Sequence, residues 1–169
     1  MDSTPRRTST LEEIEVADMT GQVTVYVRHL IRRDLAEVLA IENASFENPW
    51  SEADFMRALR SRNASGYVAE CNELVIAYVI VLSTDDGLEV INLAVSPQCL
   101  RLGVGGFLVG KLQEGGPVVL KVRESNLGAQ LFFKSIGFLA VEVIRGFYPD
   151  VDDDAYVMEC LPAEVGAAE

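Results

Sequence analysis

Apolar and polar residues alternate along this chain with two periods, and the periods divide it into strands and helices. From Val23 to Ile31 the alternation is that of a strand. Leu35, Val38, Leu39 and Ile41 then mark one face of a helix, with Asp34 placed to cap it and Glu37 to close a capping box. The loop Phe46-Glu47-Asn48-Pro49-Trp50 leads to a second helix start, where Ser51 is the cap, Asp54 its box partner, and Trp50 with Phe55 a hydrophobic staple. Tyr67–Glu70 and Leu74–Leu82 read as strands paired about Asn72-Glu73. A second hairpin turns at Asp85-Asp86-Gly87 into the apolar strand Val90–Val95. A helical pattern follows from Gly105 to Gln113 and stops at Glu114-Gly115-Gly116-Pro117. Val118–Val122 is a short buried strand, and Ser125 is expected to cap a helix from Asn126 to Ile136 with Gly137 at its C-terminal turn. Leu139–Arg145 and Ala155–Leu161 close the pattern as strands joined by an acidic loop.

The element order is therefore β-α-α-β-β-β-α-β-α-β-β. It predicts an α/β (mixed α+β) domain over residues 22–163, with a flexible N-terminal tail at 1–21 and a short C-terminal tail at 164–169. A length of 169 residues and a hydrophobic content of 49% suit one domain with a sizeable core. The formal net charge of -12 argues against a nucleic-acid partner and favours a cationic protein or peptide. No apolar run approaches the roughly 20 residues needed to span a bilayer. No apolar segment follows the N-terminal charges, so neither a membrane nor a secretory route is expected and the cytoplasm is. Cys71, Cys99 and Cys160 form no Cys-x-x-Cys pair, so they are read as reduced, mostly buried thiols with no metal site. Two Asn-Ala-Ser sequons, at Asn43 and Asn63, then have no glycosylating compartment, and Arg6-Arg7 reads as part of a solvated tail.

Candidate chemistry concentrates between Val95 and Gly106. Pro97 ends a strand, and Gly103, Gly105 and Gly106 let the chain turn sharply into a helix start. Free N–H groups and the helix dipole at such a start attract a phosphate or pyrophosphate, and Arg101 adds a fixed cation. A plain glycine turn is the bland alternative. Neither a Gly-Lys-Ser/Thr loop nor a dinucleotide fingerprint is present.

The segment resembles motif A of the GNAT superfamily of N-acetyltransferases, with Leu100 where that motif carries Arg or Gln. Four further segments fall in the family's order: Phe46-x-x-Pro49-Trp50-Ser51, Asn92-Leu93-Ala94-Val95, Val122-Arg123-x-Ser125-Asn126 and Phe147-Tyr148-Pro149. Together they resemble the RimI group, which acetylates the N-terminal alanine of a small-subunit ribosomal protein. The resemblance implies a mixed sheet of about seven strands, splayed where acetyl-CoA enters and flanked by about four helices. It implies that Leu93, Ala94 and Val95 pair with the pantetheine arm. It further implies that Arg101, Leu102, Gly103, Val104, Gly105 and Gly106 hold the pyrophosphate and that Asn126 also contacts acetyl-CoA. The implied acceptor is a protein N-terminal peptide, such as that of a ribosomal protein.

The sequence departs from that group at its catalytic pair. Lys121 stands at the position of the glutamate base, and Phe133 at that of the tyrosine acid. Glu89, at the start of the motif strand, and Tyr148 are the substitute base and acid; a solvent-facing hairpin residue and a half-buried aromatic are their bland readings. Glu124 reads as surface, His29 as a half-buried strand residue and Asp150–Asp154 as a solvated acidic loop. Trp50 is either the staple alone or also a wall of the acceptor cleft. A non-catalytic acyl-CoA-binding module and a small-molecule amine acetyltransferase remain the competing functions.

Overall fold

The computed structural model describes residues 12–18 and 21–162. One sheet of eight strands runs through them. β1 (Glu12–Asp18), β2 (Gly21–His29), β3 (Ala64–Cys71), β4 (Leu74–Thr84) and β5 (Gly87–Val95) form an antiparallel meander. β6 (Val118–Arg123) joins β5 in parallel, and β8 (Asp153–Cys160) lies antiparallel between β6 and the edge strand β7 (Leu139–Tyr148). The sequence reading expects about seven strands; the eighth is β1, which falls inside the expected tail. Its residues Glu12–Asp18 pair with Val27–Gly21 as a hairpin arm. The rest of that expected tail, and residues 163–169, lie outside the described residues.

β4 explains why two layers of helices are needed. Ala77, Val79 and Val81 face one core, while Tyr78 and Ile80 face the other, so the strand reads as a continuous apolar run. α3 (Val104–Gln113) and α4 (Leu127–Ser135) cover the first face through Leu108, Val109, Leu112 and Phe133. α1 (Leu35–Ser45) and α2 (Glu52–Leu59) cover the second through Leu35, Val38, Ile41 and Phe55.

Helix starts follow the sequence unevenly. At α2 the box forms as expected: Ser51 N–H donates to Asp54 Oδ2 at 2.9 Å and Asp54 N–H to Ser51 Oγ at 3.2 Å. Trp50 and Phe55 rings meet edge to face at 5.2 Å, forming the staple. At α1 the expected box does not form. Asp34 belongs to a short 3₁₀ turn, accepts from Ile31 N–H at 2.8 Å and binds Arg28, while Glu37 reaches Val75 N–H at 2.8 Å. At α4 the cap is Asn126, whose Oδ1 accepts from Ala129 N–H at 3.0 Å. Ser125 instead donates its hydroxyl to Asp153 at 2.5 Å, because β8 brings that half of the acidic loop underneath it.

Candidate functional site

The site begins where β5 and β6 separate. Their pairing covers only Leu88–Val90 against Val118–Leu120. β5 stays with β4 as far as Val95, and β6 stays with β8 as far as Arg123. The cause lies in β5: Val90 pairs with Val81 and Asn92 with Ile80, so Ile91 is an extra residue that bends the strand. One backbone edge of Asn92–Val95 therefore faces the gap, where an extended ligand can pair with it as another strand would.

At the end of this edge the chain turns into α3. Arg101 and Gly103 both take left-handed conformations, with φ of 65° and 81°. The Gly103 carbonyl accepts from Phe107 N–H at 3.0 Å, so the N–H groups of Val104, Gly105 and Gly106 make up the first turn, which has no intrahelical acceptors. Leu102 is half-buried and Arg101 exposed beside them. The glycines differ in purpose. A Cβ on Gly103 would meet nothing within 4 Å, whereas one on Gly105 would lie 2.7 Å from the Phe132 ring and 3.3 Å from Val95 Cγ2. Gly103 keeps open space in front of the amides, and Gly105 lets α3 lie close against α4 and β5.

The four residues weighed for the acid and base roles fall into two groups. Glu89 and Lys121 meet across the two parting strands, Lys121 Nζ donating to Glu89 Oε1 at 2.6 Å. Their side chains keep 25% and 31% of their exposure, so Glu89 is no fully solvated hairpin residue. Lys121 Nζ also lies 5.9 Å from the centre of the Phe147 ring. Tyr148 closes β7, and the Arg123 guanidinium sits over its ring at 4.0 Å while bridging to Asp150 at 3.1 Å. Burial pushes the Tyr148 hydroxyl above the usual tyrosine range, against the opposing pull of Arg123 and Lys121. Phe133 belongs to the core instead: it is buried and meets Phe132 and Phe138 edge to face at 5.0 and 5.4 Å.

A buried carboxylate that the sequence reading passes over lies beneath this region. Glu42 of α1 is 1% exposed, and its Oε1 accepts from Trp50 N–H at 2.7 Å. Its Oε2 accepts from the Tyr78 hydroxyl and from Asn92 Nδ2, the latter at 3.2 Å. The available signal was a charge on the stripe Leu35, Val38, Ile41, Glu42, which a helix turns to one side. Other candidates separate from the site. His29 is exposed, not half-buried, and stacks on Tyr67 at 4.7 Å. Glu124 is exposed. Asp153 is buried within the loop expected to be solvated throughout, and Asp154 accepts from Arg145 at 3.0 Å. Cys71 and Cys99 are half-buried and only Cys160 is buried, correcting the expectation of mostly buried thiols. Among the described residues no cluster of three His, Cys, Asp or Glu side chains could hold a metal ion. Among them, too, no helix is long and apolar enough to cross a membrane.

Comparison with known proteins adds four likenesses. Residues 35–138 match the acetyltransferase (GNAT) family. The [ribosomal protein bS18]-alanine N-acetyltransferase of Escherichia coli K12 is 30% identical over 133 residues, covering 74% of this chain and 89% of that protein. An N-alpha-acetyltransferase of Sulfurisphaera tokodaii is 27% identical over 151 residues, covering 78% of this chain and 90% of its own. The crystal structure of the Escherichia coli ribosomal-protein-S18-alanine N-acetyltransferase superposes with a TM-score of 0.71 at 25% identity, covering 86% of this chain and 98% of that one.

Proposed function

Because this chain belongs to the GNAT family of acetyltransferases, an enzyme family that transfers acetyl from acetyl-CoA to amines, we propose that its acceptor is the α-amine of a protein N-terminus. An alanine-initiated chain, such as that of a cationic ribosomal protein in the cytoplasm, suits both the likeness to the bS18-alanine enzyme and the net charge of -12. The observation that carries the reading is the Lys121–Glu89 ion pair at 2.6 Å. Glu89, the carboxylate where the two strands part, is already held by a cation. Such a site removes protons poorly, so it suits an amine that is partly neutral before it arrives. An α-amine with a pKa near 7.8 is about 15–30% neutral between pH 7 and 7.4, whereas a lysine side chain is about 0.1% neutral or less.

On this reading the donor supplies an activated acetyl thioester, and the protein supplies position and charge. The amides of Leu102 to Gly106 and the Arg101 cation receive the pyrophosphate, with Asn126 at the facing helix start. The backbone edge of Leu93, Ala94 and Val95 pairs with the pantetheine arm. The open space at Gly103, the free first turn of α3 and the unpaired edge of β5 all fit that donor. Glu89, held in place by Lys121, accepts the proton the amine loses. Tyr148, kept protonated by its burial, returns a proton to that thiolate.

The test is a thiol-release assay on three acceptors: an alanine-initiated peptide, an N-terminally blocked peptide containing lysine, and a polyamine. The α-amine peptide should react at least ~100-fold faster by kcat/KM at pH 7, close to the ratio of neutral fractions. Equal or faster acetylation of the blocked peptide or the polyamine would overturn the assignment of the acceptor.

A further inference from the structure

We infer that Glu42 is a positioning residue for the acceptor, setting the distance between the Phe46–Trp50 loop and the strand that lines the donor cleft. The inference rests on the acetyl-transfer reading above and extends it to a residue with no part in the chemistry. A carboxylate that is 1% exposed must be fully hydrogen-bonded to be tolerated. Here its three donors come from three separate elements. Trp50 N–H belongs to the loop between α1 and α2, the Tyr78 hydroxyl to β4, and Asn92 Nδ2 to β5.

Two of those partners have a direct bearing on the cleft. Asn92 immediately precedes Leu93–Val95, on the stretch of β5 that leaves β6. The Trp50 backbone is thus one carboxylate away from that strand. The Trp50 ring is tied to the same place by stacking: it meets Phe55 at 5.2 Å, and Phe55 meets Tyr78 at 5.6 Å. Tyr78 holds its proton firmly, its pKa being driven far up by burial and then by Glu42, so it remains a donor at every working pH. Core packing alone would be met by an apolar residue at position 42. A side chain that accepts from the loop with one oxygen and from the sheet with the other is what a fixed cleft width requires.

Trp50 is the single tryptophan in the chain, so its emission reports on this loop alone. The experiment compares wild type, Glu42→Gln and Tyr78→Phe, using the acceptor that wild type turns over in the panel above. Glu42→Gln keeps the volume but replaces one acceptor oxygen with a donor. It should raise KM for the acceptor about tenfold or more, the loss expected for a hydrogen bond to a charged group. KM for acetyl-CoA should stay within about twofold on the same scale, and Trp50 emission should lose its response to acceptor. Tyr78→Phe leaves the Trp50 bond in place and should shift acceptor KM much less. Should Glu42→Gln fail to fold, Glu42→Asp keeps the charge but shortens the reach to Trp50, and the same split is expected. Unchanged acceptor KM in a folded Glu42 variant would overturn the inference. So would both KM values moving together in step with a fall in Tm, which marks general loosening. If wild type acetylates a polyamine and no peptide, the acceptor assignment fails while the Glu42 measurement proceeds on the polyamine.

Discussion

Glu89 and Lys121 were each legible in the sequence as isolated candidates, but their meeting at 2.6 Å was not. Parallel pairing between β5 and β6 depends on a whole intervening helix, and no local pattern sets its register. That contact now sharpens what substitution should do. Glu89→Gln should lower kcat/KM on an alanine-initiated peptide by about tenfold, less than the usual contribution of a positioned base, because Lys121 already holds that carboxylate. Lys121→Glu should act in the opposite sense. It places a second carboxylate beside Glu89, and two like charges raise the pKa of one of them. The acidic limb of the pH–rate profile should move to higher pH, with the rate at neutral pH rising about tenfold, a modest share of general-base catalysis. A profile identical to wild type in both variants would remove this pair from the chemistry. Phe133 is a different matter: its side chain is shared with Phe132 and Phe138, so a hydroxyl there competes with core packing. Glu42 was the least legible residue of all, because a single acid on an apolar stripe acquires its partners only through tertiary contacts.

The two hairpin turns and the α2 capping box were readable because their signals span only a few residues. Asn72 and Glu73 do take left-handed conformations, with φ of 50° and 65°, and Ser51 with Asp54 closes its box. Asp34 and Ser125 misled for the opposite reason. Each has a cap-forming side chain, but Arg28 claims Asp34 at 2.7 Å and Asp153 claims Ser125. The glycine turn heading α3 supports a prediction that separates ligand binding from folding. Gly103→Ala meets no neighbour but forces a side chain into the left-handed region, at a cost of about 1–2 kcal/mol. It should weaken acetyl-CoA binding by roughly tenfold, with only a small change in Tm, as that strain is released when the loop shifts. Gly105→Asp must push Phe132 aside and add negative charge at a helix start, so it should lower both Tm and affinity. Calorimetry and thermal melts on the two variants check this; equal effects on both quantities in Gly103→Ala would contradict it.

Across the whole molecule, one charged cluster ties the first strands to the second helix layer. Arg28 on β2 binds Asp34 at 2.7 Å and Glu70 on β3 at 2.7 Å. Burial pushes the Asp34 carboxyl upward, yet its bonds to Arg28 and the Ile31 N–H prevail and hold it below the usual range. A depressed folded-state pKa contributes stability above the unfolded value, about 3.9, and that contribution disappears as pH falls through the folded one. Urea unfolding should therefore show stability falling below about pH 4, with a shallower slope in Asp34→Asn. An unchanged slope would mean that other carboxylates govern acid unfolding. The gap between β5 and β6 has a consequence at the same scale. It is a place where the sheet lacks its rungs, and on the proposed reading acetyl-CoA fills it in the folded chain and not in the unfolded one. Mass action then adds about 2.7 kcal/mol to folding when the donor stands at 100 times its dissociation constant. Durability of the fold should therefore track the supply of activated acetate: melts at rising acetyl-CoA should show Tm climbing before any acceptor is added.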